Sequence, residues 1–353
     1  FCMILTHADT ETALEFAQNV RNKGESLRYL EGDMSLQVTM SIGIAEFNRV
    51  SGDIANALTT ARMACESAKD HGRDRIEVYD AGDQSMVRRY DDMQLVAEIQ
   101  QALDGDGFEL LVQPITSLKD PDDTHCFEVL LRMSDADGER VPTKALFSAA
   151  ERYRMMPQID RWVVSEAIAK LLQIRAHAAG QDASFSINLS GQSLGDDEFL
   201  SFIEEELEHS GIGAASLTFE ITESAAVSNL KKAQGFINRL RELGCSISLD
   251  DFGTGLSSFA YLKDFNVDAL KIDGGFILDI VDNQISESMV AAITQVAMVM
   301  GLLTVAEYVE TDEAREQVAA LGVDFAQGHA IGRPVAIESL LTDVSGEEKS
   351  SVG

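Results

Sequence analysis

The sequence predicts an α/β chain: an irregular TIM-type (β/α)8 barrel with a small α/β piece ahead of it. Three observations predict this. Eight short runs of apolar and β-branched residues, near 109–114, 126–133, 184–190, 217–223, 246–251, 269–273, 302–308 and 325–330, alternate with helical stretches, the pattern of repeated βα units. Five of these runs carry Glu128, Asn188, Glu220, the pair Asp250 and Asp251, or Glu307, and a sixth carries Lys271. A barrel of parallel strands gathers such strand-end residues at one mouth. The first two runs are separated only by SLKDPDDTH, too short for a parallel crossover, so the barrel is expected to be irregular there. A doubly wound sheet is the other arrangement compatible with repeated βα units.

Residues 1–80 read β-α-β-α-β. FCMIL reads as a strand and THADTETALEFAQNVRNK as a helix capped near Thr6 or Asp9. SLQVTMSIGIAEF reads as one long alternating strand, DIANALTTARMACESAKDHG as a helix ended by Gly72, and RIEVYD as a closing strand. Five elements in this space bury too little surface for a good core of their own. Residues 81–105 run from polar to amphipathic and end in a glycine-bearing DGDG, which reads as a linker helix. The barrel follows over 106–345, and 346–353 form a polar tail.

Composition bounds the function. With 45% hydrophobic residues the chain supports a sizeable core, and no stretch approaches the ~18 consecutive apolar residues of a membrane span. Phe1 opens the chain with neither an initiator Met nor a signal peptide, so the sequence reads as a fragment, and a membrane tether ahead of it is left open. The net charge of −31, from 28 basic and 59 acidic residues, argues against a nucleic-acid groove. An anionic substrate must therefore be drawn in by local cations. Cys2, Cys65, Cys126 and Cys245 are scattered, without C-x-x-C spacing, which reads as buried free thiols in a reducing cytoplasm. Trp162 and the pair Met155 and Met156 read as core packing.

The strand-end carboxylates carry the chemistry. Gathered at one mouth without a cation, they would repel one another and raise their own pKa values. Carboxylate and amide oxygens without a neighbouring His or Cys select a hard cation, Mg2+ or Mn2+, over zinc. A lone strand-end glutamate is ordinarily half of a structural ion pair, but six such donors together point to a metal centre. Adjacent Asp250 and Asp251 would point to opposite sides of a regular strand. Both reach one ion only where the strand breaks into the turn at Gly253 and Gly255, glycines that supply the backbone freedom.

At these residues the chain resembles the EAL-domain cyclic di-GMP phosphodiesterases. The signature Glu-x-Leu-x-Arg stands as Glu128-Val129-Leu130-Leu131-Arg132, with Val where Ala is usual. Gln113-Pro114-Ile115, Asn188-Leu189-Ser190, Glu220-Ile221-Thr222-Glu223, Asp250-Asp251-Phe252-Gly253-Thr254-Gly255, Lys271-Ile272-Asp273, Ala306-Glu307 and Gln327-Gly328 with Pro334 complete the series. Residues 1–80 resemble the second half of a GGDEF domain, through Ser41-Ile42-Gly43-Ile44-Ala45 and Ala68-Lys69 with Gly72-Arg73-Asp74-Arg75. The GGDEF signature and the half that precedes it are absent, and Glu66 and Ser67 stand where Tyr is common. This piece is not expected to make cyclic di-GMP.

The resemblance implies hydrolysis of cyclic di-GMP to linear pGpG with two divalent ions. Glu128, Asn188, Glu220 and Asp250 would hold one ion. Asp250 would bridge to a second, held with Asp251 and with Glu307, which is either ligand or general base. Lys271 would orient water or shield phosphate charge, and Glu223 would steady the loop that follows the Asp pair, a loop linked in the family to dimerisation through the barrel. Arg132 would clamp phosphate with its forked donor. Gln113, Leu130 and Gln327 would touch the ligand, and Pro334 would end its strand beside a base. The rival class is a non-catalytic cyclic di-GMP receptor. Receptors in the family tend to lose the Asn, the Asp pair or the first Glu, and all are present here.

Overall fold

The computed structural model describes residues 2–26, 28–31, 34–37, 39–46, 54–70, 73–80, 84–105, 107–120, 126–135, 138–177, 182–253 and 259–343. It divides into two compact units, 1–97 and 98–353.

In the first unit α1 (Thr10–Ser26) is capped by Asp9, which accepts from Thr12 N at 2.9 Å and Thr12 Oγ1 at 2.6 Å. β1 (Arg28–Glu31) and β2 (Met34–Gln37) form an antiparallel hairpin, and β3 (Ile42–Ile44) pairs in parallel with β4 (Ile76–Val78) beyond α2 (Ile54–Asp70). Gly43 lies so close to α2 that a Cβ there would stand 2.2 Å from Ala61 O. Two expectations fail here. Residues 2–5 of FCMIL lie outside any strand and are exposed. The long strand is two, because the chain changes partner between β2 and β3. Gly72 lies outside the described residues.

The division of the chain falls within α3 (Gln84–Asp104). The barrel is β5 (Phe108–Ser117), β6 (Cys126–Met133), β7 (Ser184–Leu189), β8 (Leu217–Thr222), β9 (Ser246–Phe252), β10 (Ala269–Ile272), β11 (Leu303–Ala306) and β12 (Phe325–Ala326). From β6 to β12 all neighbours are parallel. β5 runs the other way, pairing antiparallel with β6 and with β12 to close the ring. The irregularity predicted for the first two strands is therefore present. Residues 121–125, between them, lie outside the described ones. β13 (Val335–Ala336) adds to β5 from outside the ring.

The connections carry α4 (Thr143–Arg152) and α5 (Met156–Arg175) after β6, α6 (Asp197–Ser210) after β7, and α7 (Glu223–Ser228) and α8 (Leu230–Glu242) after β8. α9 (Phe259–Leu262) follows β9, α10 (Gly274–Ile277) and α11 (Gln284–Met300) follow β10, α12 (Asp312–Ala320) follows β11, and α13 (Ser339–Asp343) follows β13. The strands are covered on both faces. Phe185, Ile187, Phe219, Ile221, Ile247 and Leu249 are fully buried, and they alternate with Ser186, Glu220 and Ser248, whose side chains face the barrel axis. Met155 and Met156 are buried, as expected. Trp162 is only half-buried and lies 5.1 Å, centroid to centroid, from Phe108. All four cysteines are free, yet only Cys245 is buried, and Cys2 is exposed.

Candidate active site

Lys271 is the hub of the mouth. Its Nζ lies 2.7 Å from Glu307 Oε1, 2.8 Å from Glu220 Oε2, 3.2 Å from Glu128 Oε2 and 3.7 Å from Asp250 Oδ1. The side chain is 1% exposed. β10 supplies the lysine at a position whose neighbours Leu270 and Ile272 point outward into the core, so alternation aims the ammonium at the axis.

The first glutamate is held on every side. Asn188 Nδ2 donates to Glu128 Oε1 at 2.6 Å, and Gln327 Nε2 donates to Oε2 at 2.5 Å. Gln327 also donates to Gln113 Oε1 at 3.2 Å, and Gln113 Nε2 donates to Gly332 O at 3.0 Å. Gln113 and Glu128 are direct cross-strand partners. Glu128 is not at a strand end, since β6 runs on through Met133, paired with the first residues of β5. This overshoot stands beyond the parallel pairing with β7, which ends at Val129, and it carries Leu130 and Arg132 on the same face as Glu128. Arg132 Nη1 donates to Leu131 O at 2.7 Å. Pro334 is half-buried, one residue before β13. The run expected at 325–330 pairs only through Ala326, so Gln327 projects from the strand's end.

β9 answers how Asp250 and Asp251 share one site. Leu249 pairs with Leu270 and Phe252 with Ile272, so two aspartates oppose one lysine in a β-bulge. Asp251 adopts φ 54°, a left-handed conformation that turns its carboxylate back toward the mouth. The strand continues through Phe252, so a bulge achieves what a break at Gly253 was expected to do. Residues Thr254 and Gly255 of that turn lie outside the described ones. Oxygens of Asp250, Asp251 and Glu307 lie within 4.8 Å of one another. Beside them Glu223, buried at the start of α7, accepts from Gly253 N at 2.9 Å and from the Tyr261 hydroxyl. It thereby ties the segment after the Asp pair to β8.

Burial and charge oppose each other here. Burial pushes Glu220 up to about 8, with Lys271 pulling it down and Glu128 and Asp250 adding to the rise. Burial likewise pushes Glu307 up to about 8 against Lys271, with Asp250 contributing. Burial also acts to raise Glu128, but Lys271 and hydrogen bonds from Gln327 and Asn188 hold it below the usual range. Asp251 is raised by burial, then by Asp250 and Asp273. Burial acts to lower Lys271, but the four surrounding carboxylates hold it well above the ordinary lysine value. One ammonium thus compensates several carboxylates, as the sequence led one to expect of a cation-poor mouth.

The donor set fits a hard divalent cation. It is all oxygen, and Asp250 Oδ1 is buried without a hydrogen-bond partner, an acceptor that a cation would satisfy. Four contributors escaped sequence reasoning. Ser186 Oγ donates to Glu220 Oε1 at 2.5 Å, and Ser248 lies buried on the same inward face of β9. Both stand two residues before a singled-out donor, the spacing that could have revealed them. Tyr261 supports Glu223. Asp160 of α5, fully buried, accepts from Ser190 N at 2.9 Å and Ser193 Oγ at 2.6 Å and so pins the turn after Asn188.

The diguanylate cyclase GGDEF domain profile matches residues 1–75. The chain is 34% identical over 331 residues to the cyclic di-GMP phosphodiesterase PdeB of Shewanella oneidensis, covering 93% of this chain and 38% of that protein. It is 39% identical over 254 residues to the cyclic di-GMP phosphodiesterase PdeF of Escherichia coli K12, covering 72% and 33%. The chain therefore spans about a third of the length of these relatives. Among solved structures, the PaMucR phosphodiesterase in complex with c-di-GMP superposes with a TM-score of 0.66 at 30% identity, over 70% of this chain and 99% of that one. The EAL domain profile matches residues 96–334, more than half of the sequence, and the chain belongs to the EAL domain family.

Proposed function

We propose that this chain hydrolyses one phosphodiester bond of cyclic di-GMP, giving linear pGpG. The observation that carries the reading is the convergence of Glu128, Glu220, Asp250 and Glu307 on Lys271, with Asn188 and Asp251 at its edge. Glu128, Asn188, Glu220 and Asp250 would hold one Mg2+ or Mn2+ ion, and Asp250, Asp251 and Glu307 a second. Such a pair, when bound, offsets phosphate charge and lowers the pKa of water to make it a nucleophile near neutral pH.

The chain's own groups do the positioning. Lys271 sits within reach of both halves of the carboxylate set, where its ammonium orients water and shields phosphate charge. Water attacks phosphorus, the bond to the ribose 3′-oxygen breaks, and that oxygen leaves as an alcohol. Arg132 and Leu130, on the β6 overshoot, face the ligand above Glu128. Gln113 and Gln327 set Glu128 from behind, and Pro334 flanks the same side. Glu223 keeps the segment after Asp251 in place.

We place residues 1–80 as a partial GGDEF domain, 81–105 as a linker helix, 106–345 as the catalytic barrel and 346–353 as a tail. The strand limits of β5 and β12 and the extent of the family match support the barrel's bounds. A homodimer through the barrel has apolar surface for it on α11 and the turn that leads into it, where Leu278, Val281, Ile285 and Val299 are more than half exposed. Among the described residues no helix is long and apolar enough to cross a membrane, and the free thiols favour a reducing, cytoplasmic setting.

The test is incubation of the purified chain with cyclic di-GMP and Mg2+ or Mn2+, with and without chelator, followed by chromatography for pGpG. Product that disappears with chelator, and in Asp250→Asn, is expected. Ligand binding without product would make the chain a receptor, and full activity in Asp250→Asn would remove the metal assignment.

A further inference from the structure

Tyr308 directly follows Glu307, where the carboxylate cluster meets solvent. Its backbone has φ 51°, a conformation that a bulky L residue adopts only against a steric cost. Its ring is seated on bare backbone. A Cβ built on Gly274 would stand 2.2 Å from Tyr308 Cδ2 and 2.6 Å from Cγ. Gly274 opens α10, next to Asp273, whose carboxylate acts on Asp251. Despite that seat the residue is 58% exposed. A strained aromatic with one side against a glycine and the rest toward solvent adds little to the core, so core packing does not account for it.

We propose that Tyr308 is a substrate-contacting residue whose open ring face stacks on one guanine of cyclic di-GMP. This rests on the phosphodiesterase reading and assigns base recognition within the same mouth. With the scissile phosphate at Asp250, Asp251 and Glu307, the base lies one ribose away. That distance carries it to the rim, where Tyr308 stands, and away from the buried floor around Lys271. Stacking needs only an accessible aromatic face, and purines offer a large one. Gly274 matters because any side chain there would displace the ring.

The test compares KM and kcat for cyclic di-GMP among wild type, Tyr308→Phe, Tyr308→Gly, Gly274→Ala and the double variant. Tyr308→Phe keeps the ring and should stay within about 2-fold of wild type. Tyr308→Gly should raise KM about 5- to 140-fold, the range of a lost base stack, with kcat within about 3-fold. Gly is at ease at this φ, so loss of fold is not expected, and circular dichroism checks it. Gly274→Ala should raise KM in the wild-type background and add nothing to Tyr308→Gly. If the wild type binds without turnover, the same comparison is read as Kd. An unchanged KM in Tyr308→Gly, or a loss confined to kcat, overturns the stacking role while the phosphodiesterase reading stands. A wild type that neither binds nor cleaves removes both.

Discussion

Lys271 Nζ lies 2.8 Å from Glu220 Oε2 across the width of β9, and each side chain is 1% exposed. Neither group has water to turn to. Glu128 and Glu307 share the same ammonium, so one lysine supplies positive charge to several carboxylates at once.

Lys271→Met should therefore destabilise the cation-free protein by about 3–5 kcal/mol, the usual cost of leaving a buried charge without its partner. Glu220 and Glu307 would rise further and Glu128 would lose the ammonium that holds it down, so the folded variant would hold protons that the unfolded chain releases. Stability then falls as pH rises. Urea denaturation at pH 5.5 and pH 8.5 should show the larger deficit at pH 8.5, and an equal deficit at both would contradict this account.

Mg2+ or Mn2+ should raise the thermal midpoint, by an amount equivalent to about 2.7 kcal/mol when the ion is at a hundred times its Kd. Glu220 and Glu307, both raised to about 8, must shed protons to take up a cation, so affinity should increase from pH 6 to pH 9. Calorimetric titration in two buffers of different ionisation enthalpy would reveal the released protons. Affinity that is flat across this range would argue against these two glutamates as donors.

Glu223→Ala should cost about 10- to 100-fold in kcat or in metal affinity, because Gly253 N and the Tyr261 hydroxyl lose their acceptor. Glu223→Gln keeps a carbonyl oxygen for Gly253 N and should retain more activity. Steady-state kinetics across a metal titration separates the two effects. Equal losses in both variants would assign the role to the charge of Glu223 instead of its hydrogen bond to Gly253.

Asp160 is raised from 3.8 to about 6 by burial, against hydrogen bonds from Ser193 and Ser190. Its folded pKa lies above the unfolded one, so the folded state keeps the proton longer. Stability from this group is highest below pH 4 and declines as pH climbs through 6, by roughly 3 kcal/mol at one pKa unit per 1.36 kcal/mol. Asp160→Asn should flatten the stability profile between pH 4 and 6. A profile identical to wild type would mean that the carboxyl ionises freely in the fold.

Much of the barrel was legible because each strand is an apolar run bounded by polar helix caps. β6 matched its expected limits, and β5, β7 to β11 lay within a few residues of theirs. Legibility failed where structure depends on a partner. The bulge at Asp250 and Asp251 exists only relative to Lys271 on β10, and no local pattern encodes that register. The hairpin of β1 and β2 is short and charged, with no clear alternation. FCMIL is apolar enough for a strand, yet no sheet receives residues 2–5. Ser186 and Ser248 look like ordinary strand serines until the barrel closes and sets them beside Glu220 and Asp250.

Because β5 runs against its neighbours, the chain enters the ring at the rim where the carboxylates gather, whereas every parallel strand starts from the opposite end. Its first residues lie against the β6 overshoot, with Glu109 paired to Arg132. The first two residues of β5 thus fix, by ladder pairing, the backbone of the segment that carries the proposed phosphate clamp.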